Sequence, residues 1–190
     1  MIPSSDWRKD LNIEDFQWMA SRPEASFYDI WEETINPEGL IYLAKAGGTT
    51  QKSFIITACA VARLCLHLVP EGEERPRVAI ETAEAWVRGK ATAEQVSRAV
   101  DAAYAARAVN SAANSAANSA IRTITDVHVD TYTTNTYASA YTSNVVYHTL
   151  RAGIDSRIVC ATIRKHLPFE RPPKLKRLTI WQRLAEGGDE

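Results

Sequence analysis

His128 stands between Asp126 and Asp130 in a stretch, residues 123–149, crowded with hydroxyls. Nucleophilic catalysis needs a nucleophile, a base and a group that orients the base. A Thr or Tyr with His128 and one of these aspartates has that composition. Threonine hydroxyls in such abundance, however, bond mainly to solvent or to the carbonyl four residues back, so the chain is read as a binding protein and not as an enzyme. Upstream, Asn110, Asn114 and Asn118 recur every four residues, which on a 3.6-residue helix aligns them in one slowly drifting row. Tyr132, Tyr137 and Tyr141 follow with flat apolar faces, and Arg75 and Arg77 supply positive charge. Together these nine residues are the candidate binding set, for a planar nucleotide-like ligand or for a protein surface, where tyrosine is favoured. The plainer alternative is that the asparagines bond neighbouring helices to one another.

No metal or cofactor is expected. Cys59 and Cys65 are six apart, unlike a zinc spacing, and the four histidines match neither His-x-Glu nor His-Glu-x-x-His. No glycine-rich phosphate loop is present, since Gly47-Gly48 reads as a helix stop. Three cysteines in apolar, helix-like surroundings suit reduced thiols and a cytoplasmic location. The polar first ten residues do not resemble a signal peptide, and no run of 18 apolar residues suggests a membrane span. A net charge of −1 gives no general argument for nucleic acid or membrane. Charge is nonetheless uneven: residues 164–183 hold seven Lys or Arg against Glu170, and residues 10–39 lean acidic. The basic stretch has the charge to meet phosphate, but reads first as a solvated connector that packs Trp181 back on the body.

The elements that would position these residues are helices. Residues 26–34 carry Phe27, Ile30 and Trp31 on one face. Asn36 caps a second helix with Pro37 at its first position, packing through Leu40, Ile41, Leu43 and Ala44 up to Gly47. Residues 52–69 are apolar on nearly all faces and predict one buried core helix, stopped by Pro70. Residues 75–88 predict another, with Val78, Ala79, Ala83, Trp86 and Val87 toward the core, Arg77–Glu81 and Glu84–Arg88 as i,i+4 pairs, and Gly89 as its stop. Thr92 with Gln95 forms a capping box that opens a long helix into the small-residue run 102–121, expected to be the close-packed centre of the domain. Residues 123–136 alternate much as a strand would, yet no second strand exists to pair with, so helix is expected from 123 to 152, with a break near Asp130 and Gly153 as stop. Asp155 caps residues 156–166, which bury Ile158, Val159, Ala161 and Ile163. Residues 1–25 show no clear period, and residues 179–185 form a last amphipathic turn.

One segment resembles a known family. Residues 74–90 read Glu-Arg-Pro-Arg-Val-Ala-Ile-Glu-Thr-Ala-Glu-Ala-Trp-Val-Arg-Gly-Lys. This is similar to the acid-Arg-Pro-Arg-x-Ala-Ile-Glu-x-x-x-x-aromatic-x-Arg-Gly-acid signature of the alanine-rich putative immunity protein family of bacterial polymorphic toxin systems, with relatives among phage and actinobacterial proteins. Arg75, Arg77, Glu81, Trp86 and Arg88 match; Lys90 departs, where an acid is usual. The cysteine-bearing helix with Arg63, the alanine-rich run after Thr92 and the ending from Ile158 to Pro168 extend the likeness over about residues 37–168. The resemblance implies an all-α protein that neutralises something by binding it. The Thr/Tyr-rich segment departs most from that pattern, which marks it as a specificity surface.

The sequence thus predicts an all-α bundle of seven to eight helices over residues 1–168, with a basic, proline-containing extension over 169–190. Its expected role is immunity-like neutralisation of a partner protein, a toxin or a host or phage factor. The alternatives are a small nucleotide-like signal bound in an Asn/Thr/Tyr/Arg groove, and a structural homo-oligomer built through the small-residue helices and the extension.

Overall fold

The computed structural model describes residues 27–46, 49–105 and 131–167. Within them are seven α-helices and no strand: α1 (Phe27–Glu33), α2 (Pro37–Ala46), α3 (Gln51–Arg63), α4 (Arg75–Val87), α5 (Ala93–Ala105), α6 (Thr131–Arg151) and α7 (Ser156–His166), with a 3-10 turn at Leu66–Leu68. Expectations placed on residues 1–26, 106–130 and 168–190 lie outside the described residues.

Local chemistry sets the helix starts. The Asn36 side chain accepts from the Glu38 amide at 2.9 Å, satisfying a donor that the first turn leaves without a carbonyl. Thr92 and Gln95 cap reciprocally, the Gln95 amide donating to Thr92 Oγ1 at 3.2 Å and the Thr92 amide to Gln95 Oε1 at 2.8 Å. Asp155 accepts from the Arg157 amide at 2.7 Å. Each such cap contributes about 1 kcal/mol. At the other ends, Gly89 and Gly153 take φ of +70° and +87°, a left-handed turn that a side chain resists.

The hub is α3, which packs against α4, α6 and α7, while α2 lies on α6 and α7 and α5 lies on α4. Phe54, Ile55, Ala58 and Val61 of α3 are fully buried; enclosing Phe54 alone contributes roughly 2–3 kcal/mol. The partner face of α6 is small: Ala138, Thr142, Val145 and Thr149 recur at helical spacing and are all buried. Thr142 Oγ1 donates to the Ala138 carbonyl at 2.8 Å and approaches the Phe54 carbonyl of α3 at 3.4 Å. The buried hydroxyl is therefore satisfied, and a threonine-rich segment can sit on an apolar helix without an orphaned polar group. This answers the strand-or-helix question for residues 131–136 in favour of helix.

Several expectations are corrected. The apolar run 52–69 is not one helix: α3 ends at Arg63, and bonds from Leu64 to Val61 and from Cys65 to Ala62 tighten the chain into the 3-10 turn. Pro70 disfavours helical geometry in the residue before it, and Val69 accordingly swings to ψ 133°. Cys65 stays buried, its thiol donating to Thr149 Oγ1 at 3.6 Å, while His67 turns outward. On α4 the core stripe is Pro76, Ala79, Ile80 and Ala83; Val78 lies off it and is 49% exposed, with Trp86 and Val87 half-buried. On α7 the buried stripe is Val159, Cys160 and Ile163, leaving Ile158 and Ala161 outside. Around one helix face, a neighbour 100° away points elsewhere.

Candidate functional site

A cleft of about 570 Å³ opens where three helices meet on the surface. From α3 come Ile56, Ala60 and Arg63, which share one face at helical spacing; α4 and its cap add Glu84, Val87 and Arg88; α7 adds Thr162, Lys165 and His166. The cleft follows from how these helices divide their residues. Each turns its most buried stripe to the core, so the adjacent stripe, in which Ile56, Ala60 and Val87 alternate with longer charged side chains, borders the seam.

Its fixed point is the pair Arg63–Glu84. Arg63 Nε donates to Glu84 Oε1 at 2.8 Å and Nη2 to Oε2 at 3.0 Å, the fork-to-fork geometry that makes arginine–carboxylate pairs directional. Bonding to Glu84 raises the Arg63 pKa further above its ordinary value. Arg88 Nη1 lies 3.9 Å from Glu84 Oε2 on the other side. Burial pushes the His166 imidazole below its usual 6.5, Lys165 acts in the same direction, and Glu84 opposes both. The Arg88–Glu84 pairing was legible as an i,i+4 spacing; the Arg63–Glu84 pair joins two helices across 21 positions and had no local signal.

The α7 wall is itself anchored. Arg164, counted by sequence among the cations of a basic tail, instead points inward: its Nε donates to the Trp31 carbonyl at 2.9 Å and its Nη2 to the Thr34 carbonyl. Both acceptors belong to the C-terminal end of α1, where carbonyls lack helical partners and attract cations.

Of the nine candidate binding residues, Arg75, Arg77 and Tyr141 are described with their side chains, and none of the three lines this cleft. Asn110, Asn114, Asn118 and His128 lie outside the described residues. Tyr132, Tyr137 and Tyr141 fall on α6, Tyr141 half-buried. Arg75 borders a second, smaller depression of about 390 Å³ with Glu73, Val78 and Ala102. Its guanidinium grips Glu73, Nε donating at 2.7 Å and Nη2 to the other oxygen, and that hydrogen bonding holds the Glu73 carboxyl well below the usual carboxylate range, at about 2. Arg77 pairs with Glu74 at 3.0 Å, rather than with Glu81 as its i,i+4 spacing suggested. The Arg-Pro-Arg segment thus starts α4 and ties down its own approach.

Burial raises the thiol pKa of Cys59, of Cys65 and of Cys160, the last to about 11. All three thiols are free and buried, in settings that suppress the reactive thiolate. Among the described residues no three His, Cys, Asp or Glu side chains converge as metal ligands do, and no helix is long and apolar enough to cross a membrane.

No curated protein and no solved structure matches this chain. A family model does: the Imm-5 like putative immunity protein model matches residues 50–157, more than half of the sequence. The matched span opens at the Thr50 cap and contains α3, α4, α5 and α6 entire, including the residues 74–90 whose pattern pointed to immunity proteins. It supplies the α3 and α4 walls of the cleft, while Thr162, Lys165 and His166 come from beyond its end. By sequence pattern and by this match, the chain belongs to the Imm-5 like putative immunity protein family.

Proposed function

We propose that this chain neutralises a partner protein, a toxin or a comparable factor, by binding and occluding it, without catalysing a reaction. The observation that carries the reading is membership of an immunity-protein family over residues 50–157. The side-chain chemistry is consistent with it. The charged groups of the open cleft are paired or solvated, the thiols are buried, and the hydroxyls of Thr57, Thr82, Thr142 and Thr162 are bonded to carbonyls of their own helices.

The test begins with native capture on the tagged full chain. Each captured protein is then expressed alone and together with the chain. The reading expects one captured protein to arrest growth on its own, growth to return when the chain is co-expressed, and the two purified proteins to form a complex of fixed stoichiometry. Captured proteins that are harmless alone, or whose toxicity the chain leaves untouched, would overturn it. A melting temperature that rises with a nucleotide, in the absence of any such protein, would favour the ligand-binding alternative.

A further inference from the structure

We infer that the cleft between α3, α4 and α7 is the surface that grips the partner, and that its occupant is an acidic protein segment carrying aliphatic side chains. The inference rests on the reading above that the chain works by binding a protein.

The charge of the cleft favours an acidic occupant. Among the described residues the cleft is lined by Arg63, Arg88 and Lys165 against a single acid, Glu84, and by the His166 imidazole, whose pKa burial holds below its usual value. Arg63 already occupies both oxygens of Glu84. Arg88, at 3.9 Å and 55% exposed, is held only at long range, and among the described residues Lys165 has no ion pair. A carboxylate entering the cleft therefore meets two available cations and a carboxylate that is already neutralised. The planar guanidinium of Arg88 suits a two-oxygen acceptor, and the surplus of one sign attracts an acidic segment from a distance.

An apolar edge adjoins these cations. Ile56 is 38% exposed on the α3 wall and sits beside Ala60 and Val87. Ile158, 52% exposed, lies one turn before Thr162 on the same face of α7. Aliphatic surface in and beside a cleft that carries cations matches a segment that alternates aliphatic and acidic residues better than it matches a free small anion, which has no use for the isoleucines. The walls need little rearrangement to receive it. Arg63–Glu84 clamps α3 to α4, and Arg164 ties α7 to α1. Such preorganisation lowers the cost of ordering an interface.

The test is selection from a random peptide display library on the purified full chain and on two variants, Arg88→Glu/Lys165→Glu and Ile158→Glu. All three substituted side chains are exposed, and circular dichroism with a melting curve checks that each variant is folded. The expected result is enrichment of peptides that combine Asp or Glu with Leu, Ile or Val, weaker binding in high salt, and a loss of at least about tenfold in affinity in the charge-reversed variant, because like charges are then opposed. Ile158→Glu should weaken the same peptides. No enrichment, enrichment without an acidic and aliphatic bias, or equal binding to the charge-reversed variant would overturn the proposal. So would inorganic phosphate perturbing the His166 resonances at concentrations where acidic peptides do not, an outcome that assigns a small-anion site instead. Growth rescue is scored separately with the same variants. Loss of peptide binding with full rescue shows that neutralisation uses another surface and refutes this assignment alone. Peptide selection that succeeds where no toxic partner exists refutes the immunity reading and leaves the cleft a peptide site.

Discussion

Removing Glu84 should do more damage than its surface position suggests. The carboxylate is 23% exposed and its partner Arg63 36%, and the pair is bidentate at 2.8 and 3.0 Å. Fully exposed pairs contribute about 0.2–1 kcal/mol, whereas breaking a fully buried one costs about 3–5 kcal/mol. A directional pair of intermediate burial falls between, so the Arg63–Glu84 coupling is expected at about 1–2 kcal/mol. The assay is a double-mutant cycle of wild type, Arg63→Met, Glu84→Gln and the double variant, each unfolded in urea. The contribution of Arg88, 3.9 Å from Glu84, appears in both arms that lose Glu84 and so cancels from the coupling. Glu84→Gln alone should lower the melting temperature by roughly 2–8 °C, at about 2–4 °C per kcal/mol for a chain of this size. In 1 M salt, where screening acts within about 3 Å, the coupling should shrink. A coupling within about 0.3 kcal/mol of zero, the ordinary error of additivity, would refute the claim that this pair clamps α3 to α4.

Other consequences follow from single residues. Gly153→Ala should cost about 1–2 kcal/mol by chemical denaturation, because φ is +87° while nothing lies within 4 Å of an added Cβ, so the penalty is conformational alone; an unchanged midpoint would contradict this. Arg164→Met removes two charge-assisted bonds to the end of α1 and should destabilise by about 2–3 kcal/mol, with faster amide exchange in α1 than in α3 as its signature. His166 should titrate by NMR below 6.5; Lys165→Gln should raise its midpoint and Glu84→Gln lower it further. With the native pKa depressed, the unfolded chain binds the proton first as pH falls through 6.5. Stability is therefore lost progressively as pH falls from 6.5 to the lower native midpoint and is not regained below it, and a midpoint at or above 6.5 would overturn the assignment.

What the sequence made legible was local. Asn36, Thr92 with Gln95, and Asp155 act within three residues of themselves, and each caps the helix expected of it. Gly89 and Gly153 stop helices because only their own backbone is at issue. The immunity-type pattern was legible for a related reason: Arg75 to Gly89 encodes a start, a face and a stop in one continuous run. The cleft was not legible. Arg63 and Glu84 are 21 residues apart, and Arg164 finds its carbonyls on α1 more than 120 residues back. Periodicity marks a helix as amphipathic without saying which neighbour arrives on which side, so Ile158 and Val78 were placed inside and Cys160 and Ile80 were passed over. The break after Arg63 was missed because hydrophobicity continues through it, and Pro70, read as the stop, directly constrains only Val69.

The central claim is that this chain disarms a protein by gripping it in the α3–α4–α7 cleft. The most direct measurement is calorimetric titration of the purified toxic partner into the wild-type chain and into Arg88→Glu/Lys165→Glu. The account predicts saturable binding at fixed stoichiometry for wild type and at least about tenfold weaker binding for the variant. Equal affinity for both would contradict the cleft, and no binding to either would contradict the immunity function itself.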